Sequence, residues 1–177
     1  MKPNLSILLI VILFFLSQQT FSQNKTVTDS DIKLVAKEIM NSGITCALIT
    51  VDKDGAPRAR TMDPFSVGDD FIVWLGTNSQ SRKVQQIKDN PRVTLYYLNK
   101  ESSGYVVIDG VASLVNDQKS KDAYWKESWK SFYSETRENY LLIKVTPNWM
   151  EILSPPNMIF NDPITWQPPI IVFDSID

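Results

Sequence analysis

"WLGTNSQSRKVQQIKDNPRVTLYYL", residues 74–98, fits a strand, a polar turn, an amphipathic helix and a second strand into one short span. The first strand opens earlier, in "DDFIVWLGT" from Asp69. Val84 and Ile87 recur at helical spacing between Ser79 and Asn90, and Asn90-Pro91 stops that helix because a residue before proline leaves the α region. The helix is therefore expected to start near Ser79 or Gln80, with Thr77, Asn78, Ser79, Ser81, Arg82 and Lys83 crowded at its mouth. First-turn amides lack carbonyl partners and sit at the positive end of the helix dipole. Two cations there do not help the helix, but a phosphate would. It can accept bonds from the backbone amides, from the hydroxyls of Thr77 or Ser81, and from Arg82 and Lys83. The plainer alternative is that Ser79 caps the helix and both cations face water.

Upstream, "GAPRARTM" places Arg58 and Arg60 two residues apart, hence on one face of a strand, with Thr61 on the other. "ITCALITVDKDGAPRARTMDPFSV" reads as two strands around an Asp-Gly hairpin turn. Before it, "TDSDIKLVAKEIMNSG" puts Ile32, Val35, Ala36, Ile39 and Met40 on one helical stripe, ended by Gly43. Downstream, "YVVIDGVASLV" is a long strand that Gly110 bulges or bends, and "QKSKDAYWKESWKSFY" reads as a second amphipathic helix. Its Trp125, Trp129, Phe132 and Tyr133 are expected to pack rather than to bind a ligand. "NYLLIKVTP" and "NWMEIL" follow as two strands. Residues 154–177 form a Pro-rich C-terminal arm whose apolar residues favour packing along a surface. Short, hairpin-sized links make the pairing antiparallel, and a mainly β class, six or seven strands in a small barrel with peripheral helices, fits the length.

The chain has 177 residues and a net charge of −2, which argues against a general nucleic-acid binder. It contains no histidine, which removes His-based acid–base chemistry and the usual zinc sites, and no metal site is expected. Its one cysteine, Cys46, lies in an apolar run and reads as a buried structural thiol. Lys2, an apolar run from Leu5 to Leu16 broken only by Ser6, and the small residues Thr20 and Ser22 form the pattern of a signal peptide over 1–22. The run is shorter than the roughly 20 residues that span a bilayer, so cleavage and export, periplasmic or secreted, are expected rather than anchoring. Residues 23–28 then act as a linker, and 29–153 as the folded domain.

"GAPRARTM", "TNSQSRKVQQIKDNPRV" and "GYVVIDGVASLV" resemble, in order and spacing, the pyridoxamine 5′-phosphate oxidase-like FMN-binding split-barrel family, and most of all its general stress protein branch. The resemblance covers about Asp29 to Leu153 and implies a six-stranded antiparallel split barrel. It implies a homodimer with FMN sites at the interface. Arg60 matches the arginine that approaches the flavin phosphate, Thr61 and Met62 follow it along the flavin, and Thr77, with Ser81 beside it, ends the next strand. Arg82 and Lys83 match the basic pair that holds the phosphate. True oxidases of the family carry a lysine where Phe65 stands, a glutamine near Tyr105 and a tryptophan near Leu153. Their Arg-x-His signature is missing here, so the resemblance does not extend to pyridoxamine phosphate oxidation. It implies an exported FMN-binding protein, a flavin-dependent oxidoreductase of unknown substrate. The alternative is a stress protein that holds flavin or haem without turnover.

Overall fold

The computed structural model describes residues 27–101, 103–133 and 137–174. The signal peptide expected over 1–22 lies outside the described residues. Helix α1 (Asp29–Ser42) opens on a capping box: the Thr28 hydroxyl accepts from the Asp31 amide, and the Asp31 carboxylate accepts from the Thr28 amide. The helix buries Ile32, Ala36, Ile39 and Met40, four of the five apolar positions in the stripe.

Strands β1 (Cys46–Val51) and β2 (Pro57–Met62) form the expected hairpin. The Asp52 carboxylate accepts from the Asp54 and Ala56 amides, and Gly55 takes the φ of +80° that the turn needs. Then follow β3 (Val73–Asn78), α2 (Arg82–Asp89), β4 (Arg92–Leu98) and β5 (Tyr105–Val115). With a last long strand, β6 (Tyr140–Leu153), all pairings in the sheet are antiparallel, in the order β2-β1-β4-β5-β6-β3. The two end strands meet just past β2, where the Phe65 amide donates to the Trp74 carbonyl at 3.0 Å and Pro64 bridges Leu75. The sheet thus curls into a split barrel with a seam between β2 and β3. Its interior is filled by side chains such as Leu48, Leu75, Leu95, Ile108 and Ile143, all fully buried. Cys46 lies among them, and burial pushes its thiol up to about 11, which makes it an inert filler.

Three elements differ from the sequence expectation. The two late strands are one, β6 (Tyr140–Leu153), because a register shift opposite Asp109 and Gly110 absorbs Pro147, which has no amide to donate. Gly110 is required there, since a Cβ would lie 2.5 Å from the Thr146 carbonyl oxygen. The late amphipathic helix is broken into α3 (Gln118–Ala123) and a 3-10 turn (Glu127–Ser131). Its aromatic residues gather around Tyr140 instead of lining one helix face: Trp125, Trp129 and Tyr133 lie 5.2, 5.9 and 5.0 Å from that ring. Finally, there is a seventh strand, β7 (Ile170–Val172), where the arm returns to pair with β6. Asn148, the residue left over in the β6 register shift, anchors the return by accepting from the Phe173 amide at 2.9 Å. No helix among the described residues is long and apolar enough to cross a membrane.

Candidate functional site

The mouth of α2 is built differently from the simplest capping scheme. Asn78 forms a turn, its side-chain oxygen accepting from the Gln80 amide at 2.8 Å and its carbonyl from the Ser81 amide at 3.0 Å. This turn delays the helix, which starts at Arg82 rather than near Ser79 or Gln80. Ser81 is the N-cap residue, yet its hydroxyl makes no capping bond. It faces the buried Thr77 hydroxyl at 3.2 Å instead. Ser79 does not cap either; its amide donates to the Asn139 carbonyl. Arg82 and Lys83 hold the first two helical positions, where the amides have no acceptor within the helix.

Three cations converge here. Lys83 donates to Thr77 Oγ1 at 3.1 Å, and Arg60 reaches across from β2 toward α2. Burial and then Arg60 pull the Lys83 ammonium below its usual range, while burial and then Arg82 lower the Arg60 guanidinium. Like charges are being held together against their repulsion. Among the described residues, Arg60, Arg82 and Lys83 form no ion pair, although five other cations do. Arg58 is one of those five: its Nε donates to Asp52 of the β1–β2 turn at 2.7 Å.

Beside the cluster, the seam between β2 and β3 opens into a cleft of about 280 Å³. Thr61, Met62, Gly76, Thr77 and Lys83 line it from the barrel side. Thr61 is exposed, whereas Met62 is mostly buried and belongs also to the core. The opposite wall is Trp129, Phe132 and Tyr133, from the segment after α3. Asp63 holds that wall in place, accepting from Lys126 Nζ at 2.5 Å and from Trp129 Nε1 at 3.1 Å. The Trp129 ring lies against Gly76, where a Cβ would come within 2.4 Å of it. Phe65 packs beneath, 5.1 Å from Tyr124 and 5.5 Å from Trp129.

The structure therefore brings Arg60, Thr77, Ser81, Arg82 and Lys83 to one corner, with Thr61 and Met62 along the adjoining cleft. Tyr105 and Leu153 pair with each other and do not line the cleft. Sequence reasoning missed Asp63 and the aromatic wall as parts of the cleft. The signal was the spacing of Trp125, Trp129 and Tyr133, which was assigned to packing; Phe132, at 77% exposure, does not pack. Chemically, the corner suits a multiply charged oxyanion, and the cleft suits a flat, partly apolar group attached to it.

Known proteins agree with this architecture. The family described as Pyridoxamine 5′-phosphate oxidase like matches residues 30–153. A pyridoxine/pyridoxamine 5′-phosphate oxidase of Bacteroides thetaiotaomicron is 32% identical over 82 residues, which is 46% of this chain and 38% of that protein's length. The crystal structure of general stress protein 26 from Bacillus anthracis superposes with a TM-score of 0.65 at 26% identity, covering 80% of this chain and 98% of the other. An FMN-binding protein related to pyridoxamine 5′-phosphate oxidase, from Nostoc punctiforme, superposes with a TM-score of 0.58 at 15% identity, covering 81% and 94%. At that identity the likeness is one of fold.

Proposed function

The chain belongs to the Pyridoxamine 5′-phosphate oxidase like family, and we propose that it binds FMN at the seam between β2 and β3. The observation that carries this is the convergence of Arg60 and Lys83, whose hydrogen-bond partners are all uncharged, with the exposed Arg82 on one corner. A phosphate dianion there offsets the mutual repulsion and takes up the first amides of α2. Thr77 and Ser81 add hydroxyls to the phosphate or to the ribityl chain. Thr61 and Met62, with the aromatic wall across the cleft, would hold the flavin ring.

When bound, the flavin supplies the hydride or electron chemistry, and the protein supplies orientation and electrostatics. Among the described residues that line the cleft, the one carboxylate is Asp63, whose two oxygens accept from Lys126 and Trp129. We read the protein as a flavin-dependent oxidoreductase of unknown substrate. A carrier that holds flavin or haem without turnover is the second reading, and the same locked Asp63 favours it.

The cleft, at about 280 Å³, falls just below the roughly 300–1,000 Å³ of common ligand pockets. A second copy of the chain would enclose the remainder. Tyr96 and Leu98 on β4, and Ile170 and Val172 on β7, are exposed apolar side chains of the kind a homodimer covers. The absorption spectrum after reconstitution separates the cofactors. Flavin bands that remain after gel filtration support the proposal; a Soret band after exposure to haem, with no retained flavin, contradicts it. Oxidation of NAD(P)H by the loaded protein then divides enzyme from carrier.

A further inference from the structure

Arg60 does not hang free in the cradle. Its Nη1 donates to Thr50 Oγ1 at 2.7 Å, and its Nη2 donates to Gln86 Oε1 at 2.9 Å. The Thr50 hydroxyl in turn donates to Gln86 Oε1 at 2.6 Å. The three side chains close a triangle from β1, β2 and α2, with Thr50 fully buried. Gln86 stands one turn along α2 from Lys83, so the triangle ties the guanidinium to the same helix that carries the other two cations.

The chemistry of this support is unusual for a half-buried arginine. A carboxylate is the usual partner, since it gives a bidentate charge-assisted pair and relieves desolvation. Arg58, two residues away, has such a partner in Asp52. Arg60 has only a hydroxyl and an amide oxygen, both neutral acceptors. They fix the direction of the guanidinium without cancelling its charge, and they leave Nε and one N–H on each Nη for another acceptor. A glutamate at position 86 would fit the same space, satisfy Arg60 better and lower the repulsion with Arg82 and Lys83. The empty protein would be more stable with it, and the corner would lose much of its attraction for an anion.

We propose that Thr50 and Gln86 are positioning residues of the oxyanion site, holding Arg60 in place by neutral hydrogen bonds so that its charge stays available to the ligand. This rests on the proposed phosphate site, and neither residue need touch the ligand.

The test uses the full folded protein, with inorganic phosphate and FMN as probes, read by thermal melting and by fluorescence titration. Gln86→Glu is expected to raise the melting temperature of the unliganded protein. It should abolish most of the phosphate-induced rise and weaken FMN by about tenfold or more, one decade per 1.4 kcal/mol. Thr50→Val, close in shape but without the hydroxyl, is expected to weaken FMN more than riboflavin, while Thr50→Ser restores wild-type affinity. A structural role alone would not produce that selectivity or that rescue.

Unchanged FMN affinity in both Gln86→Glu and Thr50→Val overturns the inference and leaves the flavin site standing. So does a lower melting temperature for unliganded Gln86→Glu. A wild type that responds to phosphate but not to FMN overturns the flavin reading, with the phosphate arms still deciding the inference. A wild type that responds to neither probe overturns both.

Discussion

Lys83 is the side chain on which the chemistry of the corner turns. It is half-buried, bonded to Thr77, and depressed first by desolvation and then by Arg60. A lysine with a lowered folded-state pKa holds its proton less tightly than in the unfolded chain, where 10.5 applies. The unfolded state therefore binds more protons in the window between the two values, and the stability of the empty protein rises as pH climbs through it. Anion binding runs the other way, because the cradle loses a charge in the same window. Affinity for FMN is expected to fall on the alkaline side before pH 10.5, and Lys83→Arg, which stays charged there, is expected to flatten that fall. A profile of FMN affinity against pH that is identical for wild type and Lys83→Arg would contradict this. At this scale the basic pair, Arg60 and the Thr77 hydroxyl were legible in the sequence. Thr50 and Gln86 were not, because strand register places Thr50 opposite Arg58, and only side-chain reach brings Arg60 to it.

Among the elements, the segment after α3 shows how tertiary packing overrides a local pattern. The spacing of Trp125, Trp129 and Tyr133 suits a helix, but Tyr140 and Gly76 draw these rings onto the barrel and break the helix near Tyr124. Tyr124 leaves the helix to stack on Trp74 at 4.3 Å, and its carbonyl accepts from the Tyr140 hydroxyl. Gly76 is the floor of this arrangement. Gly76→Ala is expected to push Trp129 off the strand, lower stability by about 1–3 kcal/mol through overpacking, and open the cleft wall. Chemical denaturation with tryptophan emission as the probe checks both effects; an unchanged midpoint and spectrum would refute them. The hairpin at Asp52–Ala56, the stripe of α1 and the bulge at Gly110 were readable, because each rests on local chemistry that a few neighbouring residues encode. β7 was not readable as a strand. Five prolines after Ser154 mask it, and its pairing depends on an Asn148 that only the β6 register frees.

For the whole molecule, the split barrel follows from antiparallel hairpins and from a family pattern spread over residues 30–153. Assembly and location are proposals at this scale. If a second copy completes the cleft, flavin loading and dimerisation are coupled, and sedimentation at micromolar concentration should show FMN only in the dimer. A flavin-loaded monomer would dismiss the coupling. If residues 1–22 are a leader, protein from its native host begins near Gln23 and fractionates outside the cytoplasm, and an intact Met1 in a membrane fraction would count against export.

The central claim, that a flavin phosphate sits at the mouth of α2, is tested most directly by titrating FMN and riboflavin against the same set of proteins. Arg60→Ala, Arg82→Ala and Lys83→Ala each remove one charge from the corner, whereas Arg58→Ala removes one bound to Asp52. A charge-assisted hydrogen bond contributes roughly 1.5–3 kcal/mol, which is about ten- to a hundredfold in affinity. FMN should weaken by that factor in the three corner variants and much less in Arg58→Ala. Riboflavin, lacking the phosphate, should bind all five proteins alike. Equal losses for the two flavins, or no loss for either, would place the phosphate somewhere else.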